Sequence, residues 1–334
     1  MTRPLLSLTA LLALAAVPAF AQDEDKAAPS PGEIIAQAPA EEWIGIAPED
    51  LLVMTLAPAP DGSPREVVIQ LMPAPFSQGW VENIRTLARA QWYDGITVNR
   101  VQDNYVVQWG DPNYDNPEAE GAAKPLPEGL KVMTEAKYTA PITKIRIRER
   151  PPEGYVGTRG DAYADWTDFH AGWPIASNGS RDWPLHCYGM VGVGRNMSPD
   201  AGTGAELYTV IGHAPRHLDR NIALVGRVIE GMEHLSSLPR GSGALGFYTA
   251  EEADKRTPIL SVRVASDLPE ADPASDSEAV GQQTRPAFEY LSTDGETFAR
   301  YADARANRRD PFFITPAGGA DICNVPVPVR RVAD

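Results

Sequence analysis

Proline recurs along nearly the whole chain: 31 of the 334 residues are proline, and 28 more are glycine. Each proline fixes φ and removes a backbone donor, so long helices and long central strands are both interrupted. That argues against an all-helical protein and for short strands joined by turns and irregular segments. Hydrophobic residues make up 43% of the chain, enough for a packed core rather than general disorder. The formal net charge is −15, the wrong sign for neutralising phosphates, so no nucleic-acid partner is expected. Two cysteines are too few for a disulfide-dense scaffold or a four-thiolate zinc site.

The first 21 residues have the form of an export signal. Arg3 supplies a positive start, Leu5 to Val17 an apolar run, and Ala19-Phe20-Ala21 a small-x-small cleavage site. The run is too short to cross a bilayer core of about 30 Å. The expectation is secretion across the inner membrane into the periplasm, with no stable membrane insertion after signal cleavage. Such a compartment is oxidising, so Cys187 and Cys323 can pair there. Two separately buried thiols are the alternative. A pairing would tie the C-terminal extension to the rest of the protein.

Residues 22–44 are rich in Ala, Pro, Asp and Glu and read as a flexible linker. Leu51 to Leu56 and Val67 to Leu71 alternate as strands of a hairpin around Asp61-Gly62. Ser77 is a candidate cap for a helix over Gly79 to Ala90, with Trp80, Ile84, Leu87 and Ala88 on one face. Ile96 to Val101 and Tyr105 to Gln108 are two further strands. Residues 112–183 read as a long insertion whose one strand-like stretch is Ile142 to Ile147. Strands are expected again at Tyr188 to Val193, Leu207 to Ile211, Ile222 to Val228 and Ile259 to Ala265, with a short helix from Gly231. Residues 269–334 read as an acidic linker and a C-terminal extension with a helix over Thr297 to Arg309.

Several familiar sites are missing. Gly192-Val193-Gly194 starts like a dinucleotide fingerprint, but Met197 occupies the place of the third glycine and no βαβ unit surrounds it. His213 and His217 have helical spacing, but Pro215 lies between them. No metal and no cofactor is expected.

What remains is an ordered set of motifs: Val81-Glu82-Asn83-Ile84, then Tyr93-Asp94-Gly95-Ile96-Thr97-Val98-Asn99-Arg100-Val101, then Tyr105-Val106-Val107-Gln108-Trp109-Gly110-Asp111-Pro112, and much later Val225-Gly226-Arg227-Val228-Ile229-Glu230-Gly231. Each is weak alone. Together, in this order, they resemble the cyclophilin family of peptidyl-prolyl cis/trans isomerases. The resemblance implies a mainly β protein: a closed antiparallel barrel capped by two helices. That domain would span residues 45–268, interrupted by the insertion.

The resemblance also implies a site. Arg100 would be the catalytic Arg, with Gln108 as its polar partner. Tyr105, Val106, Glu206, Leu207, Tyr208, His217 and Leu218 would bind substrate. Asn99, Tyr105, Tyr208, Glu206 and Ile222 depart from the family's usual residues, and Glu206 puts a carboxylate beside the peptide groove. The implied partners are proline-containing polypeptides, met by a monomer that assists the folding of exported proteins. The alternative is a cyclophilin-like proline-peptide binding or assembly module with weak or no isomerase activity.

Overall fold

The structure is a computed structural model that describes residues 28–114, 121–142, 160–270 and 283–332. It begins with α1 (Pro31–Ala36), β1 (Trp43–Gly45), β2 (Leu51–Leu56) and β3 (Arg65–Leu71). Then come α2 (Gln78–Arg89), β4 (Thr97–Val101) and β5 (Val106–Gly110). The expected insertion carries β6 (Ala140–Pro141), β7 (Trp166–His170), β8 (Trp173–Ser177) and β9 (Arg181–Pro184). Next are β10 (Met190–Val193), β11 (Leu207–Val210), β12 (Leu224–Glu230), α3 (Met232–Ser236) and β13 (Ile259–Val264). The last elements are β14 (Phe288–Leu291), α4 (Glu296–Ala306) and β15 (Val329–Arg331).

Eight strands form one antiparallel sheet in the order β13-β2-β3-β12-β10-β11-β5-β4. The two edge strands meet through a Thr97–Pro258 bridge and backbone bonds from Val98 N–H to Thr257 O (2.9 Å) and Ile259 N–H to Ile96 O (2.8 Å). The sheet is thereby a nearly closed barrel, as the motif order implied. Side chains alternate across it. On β5, Val107 and Trp109 enter the main core, while Val106 joins a separate cluster with Tyr208 and Val210. α2 packs against β12 and β13, and α3 against β3. The buried face of α2 is the expected one, Trp80, Ile84, Leu87 and Ala88, with Val81 and Asn83 added.

Three expectations change. Ser77 precedes α2 in a left-handed conformation (φ 52°), and its side chain makes no cap bond. The Ser77 carbonyl instead accepts from the N–H groups of Trp80 and Val81 at 3.0 Å. The linker is structured within residues 31–45: Ser30 and Glu33 form a capping box on α1, Pro31 and Ile34 are buried, and β1 pairs with β14. A proline at the first helical turn starts a helix rather than preventing one. The described part of the insertion forms a four-stranded sheet, β6-β9-β8-β7, rich in buried Trp and Phe. The strand expected at Ile142 to Ile147 lies, apart from Ile142, outside the described residues, as does the expected signal.

The C-terminal extension joins these added parts. β14 pairs with both β1 and β15, α4 packs on α1, and the Phe298 ring meets Phe169 of the insertion edge-on at 4.9 Å. Cys187 and Cys323 form a disulfide with their Cα atoms 5.1 Å apart. The bond holds the extension to the segment entering β10.

Candidate active site

β4, β5 and β11 lie side by side, and their register aligns three residues. Arg100 pairs with Gln108, and Gln108 pairs with Tyr208. The register shifts between Val98 and Arg100, and Asn99 lies at that irregularity. Its side chain is buried: Nδ2 donates to Gly110 O at 3.1 Å, and Oδ1 accepts from the Thr97 hydroxyl at 2.6 Å. With Asn99 directed inward, alternation sends Arg100 to the outer surface of the barrel.

There Arg100, Gln108 and Tyr208 line a cavity of about 350 Å³ with Tyr105, Val106, Glu206, Leu218 and Ile222. Arg100 Nη1 donates to Gln108 Oε1 at 3.1 Å, Nε donates to Leu245 O at 2.7 Å, and Nη2 donates to Gln102 Oε1. Its guanidinium lies over the rings of Tyr105 (5.6 Å) and Phe247 (5.5 Å). Burial lowers the Arg100 pKa from its ordinary value, while Tyr105 and Glu206 act in the opposite direction. Because an arginine starts so far above neutrality, it stays a cation in this setting. Gln108 Nε2 donates to Glu206 Oε2 at 3.2 Å. The amide is thus oriented from both ends, with its oxygen toward the cation and its nitrogen toward the carboxylate.

Tyr208 stands at the far end of this row, one strand beyond Gln108. Gly192 lies across from it on β10, and a Cβ at that position would stand 2.3 Å from the Tyr208 ring and hydroxyl. A Cβ at Gly194 would stand 2.8 Å from Glu206 Cβ. Gly192-Val193-Gly194 therefore makes room for two pocket side chains. The Tyr208 hydroxyl is bonded to His186 Nε2 at 2.8 Å, and His186 Nδ1 lies 2.9 Å from Asp219 Oδ1. Asp219 Oδ2 accepts from Arg216 Nε at 2.5 Å. Burial pushes the Tyr208 phenol well above its usual pKa. Burial also lowers that of His186, against the pull of Asp219.

Five of the expected binding residues line the cavity, and two, Leu207 and His217, do not. Leu207 points into the barrel core and is 3% exposed. Its neighbour Tyr208 faces the pocket, and period-two alternation forbids both from doing so. His217 lies just outside the cavity lining, its ring stacked on Tyr105 at 6.2 Å between centroids. Leu245 and Phe247 line the cavity and carry no motif. The glycine-rich run Gly241 to Gly246 was the available hint of a tight loop there. A second cavity of about 230 Å³ shares Gly194, Arg195 and Glu206 with the first, and Lys124, Pro125 and Leu126 of the insertion help to line it. Glu206 stands where the two meet.

An arginine and a glutamine thus face a recess on the outside of an eight-stranded, nearly closed antiparallel barrel. The family is named by comparison. The chain belongs to the cyclophilin-type peptidyl-prolyl cis-trans isomerases: the family model "Cyclophilin type peptidyl-prolyl cis-trans isomerase/CLD" matches residues 65–264, more than half of its length. Among solved structures it is similar to the cyclophilin AquaCyp293 from Hirschia baltica, at 22% identity over 86% of this chain and 93% of that one, with a TM-score of 0.57. A cyclophilin-type isomerase from Cryptosporidium parvum matches at 12% identity over 67% of this chain and 99% of that one, with a TM-score of 0.36. No curated protein matches the chain.

Proposed function

We propose that this cyclophilin-type isomerase acts on Xaa-Pro bonds at the 350 Å³ cavity, with Arg100 as the catalytic residue. The observation that carries the proposal is the row Arg100–Gln108–Tyr208, set by strand register across one face of that cavity. The Xaa-Pro amide is planar, and its rotation barrier of about 18–20 kcal/mol comes from C–N double-bond character. As the bond twists, the nitrogen becomes pyramidal and gains a lone pair. A guanidinium can donate to that lone pair only in the twisted state. The contact therefore favours the transition state over the ground state. Val106, Leu218 and Ile222 supply the apolar seat for the proline ring, and Gln108 keeps the guanidinium aligned. No redox or covalent step is needed.

The proposed setting is the periplasm, and the proposed clients are folding exported polypeptides. The signal-like start and a disulfide between Cys187 and Cys323 support this. A second reading has its own support. All three Arg100 nitrogens already donate, to Leu245, Gln108 and Gln102. A guanidinium held this firmly also suits a module that binds proline peptides and turns over slowly. Exchange NMR on a proline peptide separates the two. Cis/trans exchange accelerated by the protein and abolished by Arg100→Ala supports the isomerase reading; peptide binding without exchange supports the module.

A further inference from the structure

Behind the pocket runs a buried polar chain that reaches the insertion. It starts at the Tyr208 hydroxyl and passes through His186, Asp219 and Arg216 to Asp161. His186, Asp219 and Arg216 are 1%, 4% and 4% exposed. Asp161 belongs to a turn of the insertion, where its Oδ1 accepts from the backbone N–H groups of Tyr163 (2.7 Å) and Ala164 (2.9 Å). Its Oδ2 accepts from Arg216 Nη1 at 2.7 Å, and the Tyr163 ring lies 5.1 Å from the Arg216 guanidinium. The insertion therefore grips Arg216 by an edge and by a face.

The donor directions along the chain follow from its charges. Asp219 lies between an arginine and His186, and its Oδ1 also accepts the His186 backbone N–H at 3.0 Å. A carboxylate so placed takes a proton donor from the ring, so Nδ1 carries the hydrogen and Nε2 is an acceptor. The Tyr208 hydroxyl then donates to Nε2. Each member has one role, and the phenol ring in the pocket wall is held from its far end. Gly192 leaves the ring no support from a Cβ beneath it.

We propose that Asp161, Arg216, Asp219 and His186 are positioning residues for the proline pocket, and that the insertion sets substrate affinity through them by fixing where the Tyr208 ring stands. The proposal rests on the assignment of this cavity as the proline site. It places the insertion's influence on peptide binding rather than on the barrier, because Arg100 stands two strands away from Tyr208 and, among the described residues, shares no hydrogen bond with this chain.

The test is a double-mutant cycle on the full mature chain, read by exchange NMR across a concentration series of a short proline peptide, which yields KM and kcat together. Asp161→Asn keeps the turn's acceptor and removes the charge facing Arg216. It raises KM about three- to tenfold with kcat nearly unchanged, the size of coupling such networks transmit. In a Tyr208→Phe background, where no hydroxyl remains to be held, the same substitution moves KM by less than about twofold. The proposal is overturned if KM is indifferent to Asp161→Asn, if the shift is equal in both backgrounds, or if kcat falls at constant KM. Should Asp161→Asn fail to fold, Tyr163→Leu removes only the ring over Arg216 and carries the same test. If the wild type shows no exchange, the isomerase reading fails by itself, and peptide affinity in the same titration still decides this one.

Discussion

The pocket has two walls of different construction. Arg100, Gln108 and Tyr105 stand on a hairpin, partly exposed, with the guanidinium held by a carbonyl and two side-chain amides. Tyr208 stands on the neighbouring strand at the far end of the same row, 4% exposed, with three further buried polar side chains behind it. The contrast separates two tasks. A cation that meets a transient lone pair needs a defined direction but not deep burial. A wall that measures a proline ring needs a side chain that cannot move, which calls for support from behind. On this view the first wall governs kcat and the second governs KM.

The largest break in that comparison comes from Arg100→Ala. It is expected to lower kcat/KM by about 10²–10³-fold, the usual cost of removing a donor made for the transition state. Proline-peptide exchange NMR measures it, with circular dichroism confirming an intact fold. A comparable loss of peptide affinity in that variant would merge the two walls.

Gly192→Ala strikes the second wall by crowding it rather than by removing a polar group. The new Cβ would stand 2.3 Å from the Tyr208 ring and must displace it. Overpacking of this kind costs about 1–3 kcal/mol, so KM should rise by about tenfold while kcat changes little. A peptide titration followed by amide shifts reads the affinity directly.

The pH response sharpens the comparison further. Burial holds the His186 imidazole below its ordinary pKa, so the folded protein keeps it neutral. The unfolded chain takes up that proton as the pH falls below about 6.5. More protons bound by the unfolded state means stability that falls with falling pH. Asp219 opposes this by favouring the charged ring, while Arg216, His217 and the burial beside Tyr208 reinforce it. Urea unfolding at about pH 5.5 and 7.5 should show the wild type losing stability at the lower pH. His186→Asn should lose less.

The smallest effect is expected from Glu206→Gln, at the junction of the two cavities. A part-exposed carboxylate contributes well under 1 kcal/mol to a cationic ligand. Preference for Lys-Pro over Ala-Pro peptides should therefore drop about two- to fivefold, measured as a ratio of kcat/KM.

The two walls also differed in how far they could be read in advance. Arg100 and Gln108 are eight positions apart on one hairpin, so a local pattern carries both. Tyr208 came only from what the family resemblance implies. Leu207 was assigned to the wrong face because alternation gives a period without a phase, and only the closed barrel decides which face is inside. The support behind Tyr208 was out of reach: His186, Asp219 and Asp161 come from separate parts of the chain and share no spacing rule. The insertion's sheet was hidden for a different reason. Its strands are two to five residues long and contain Pro141, Pro174 and Pro184, which argue against strands in any reading by propensity. Their packing comes from Trp173, Ile175 and Trp183 meeting the barrel and the extension. For the cysteines the sequence left a pairing and two separately buried thiols open, and the fold decides for the pairing by bringing their Cα atoms to 5.1 Å.

The small sheet of β1, β14 and β15 bears on how the chain is made. Its strands come from residues 43–45, 288–291 and 329–331, so it cannot be complete until Arg331 has left the ribosome. The barrel strands, ending at Val264, are all synthesised well before that. A nascent chain can thus have every residue that lines the 350 Å³ cavity while β1 still lacks its partner. Final locking is a late event, in which β14 joins β1 and β15 then pairs along the free edge of β14.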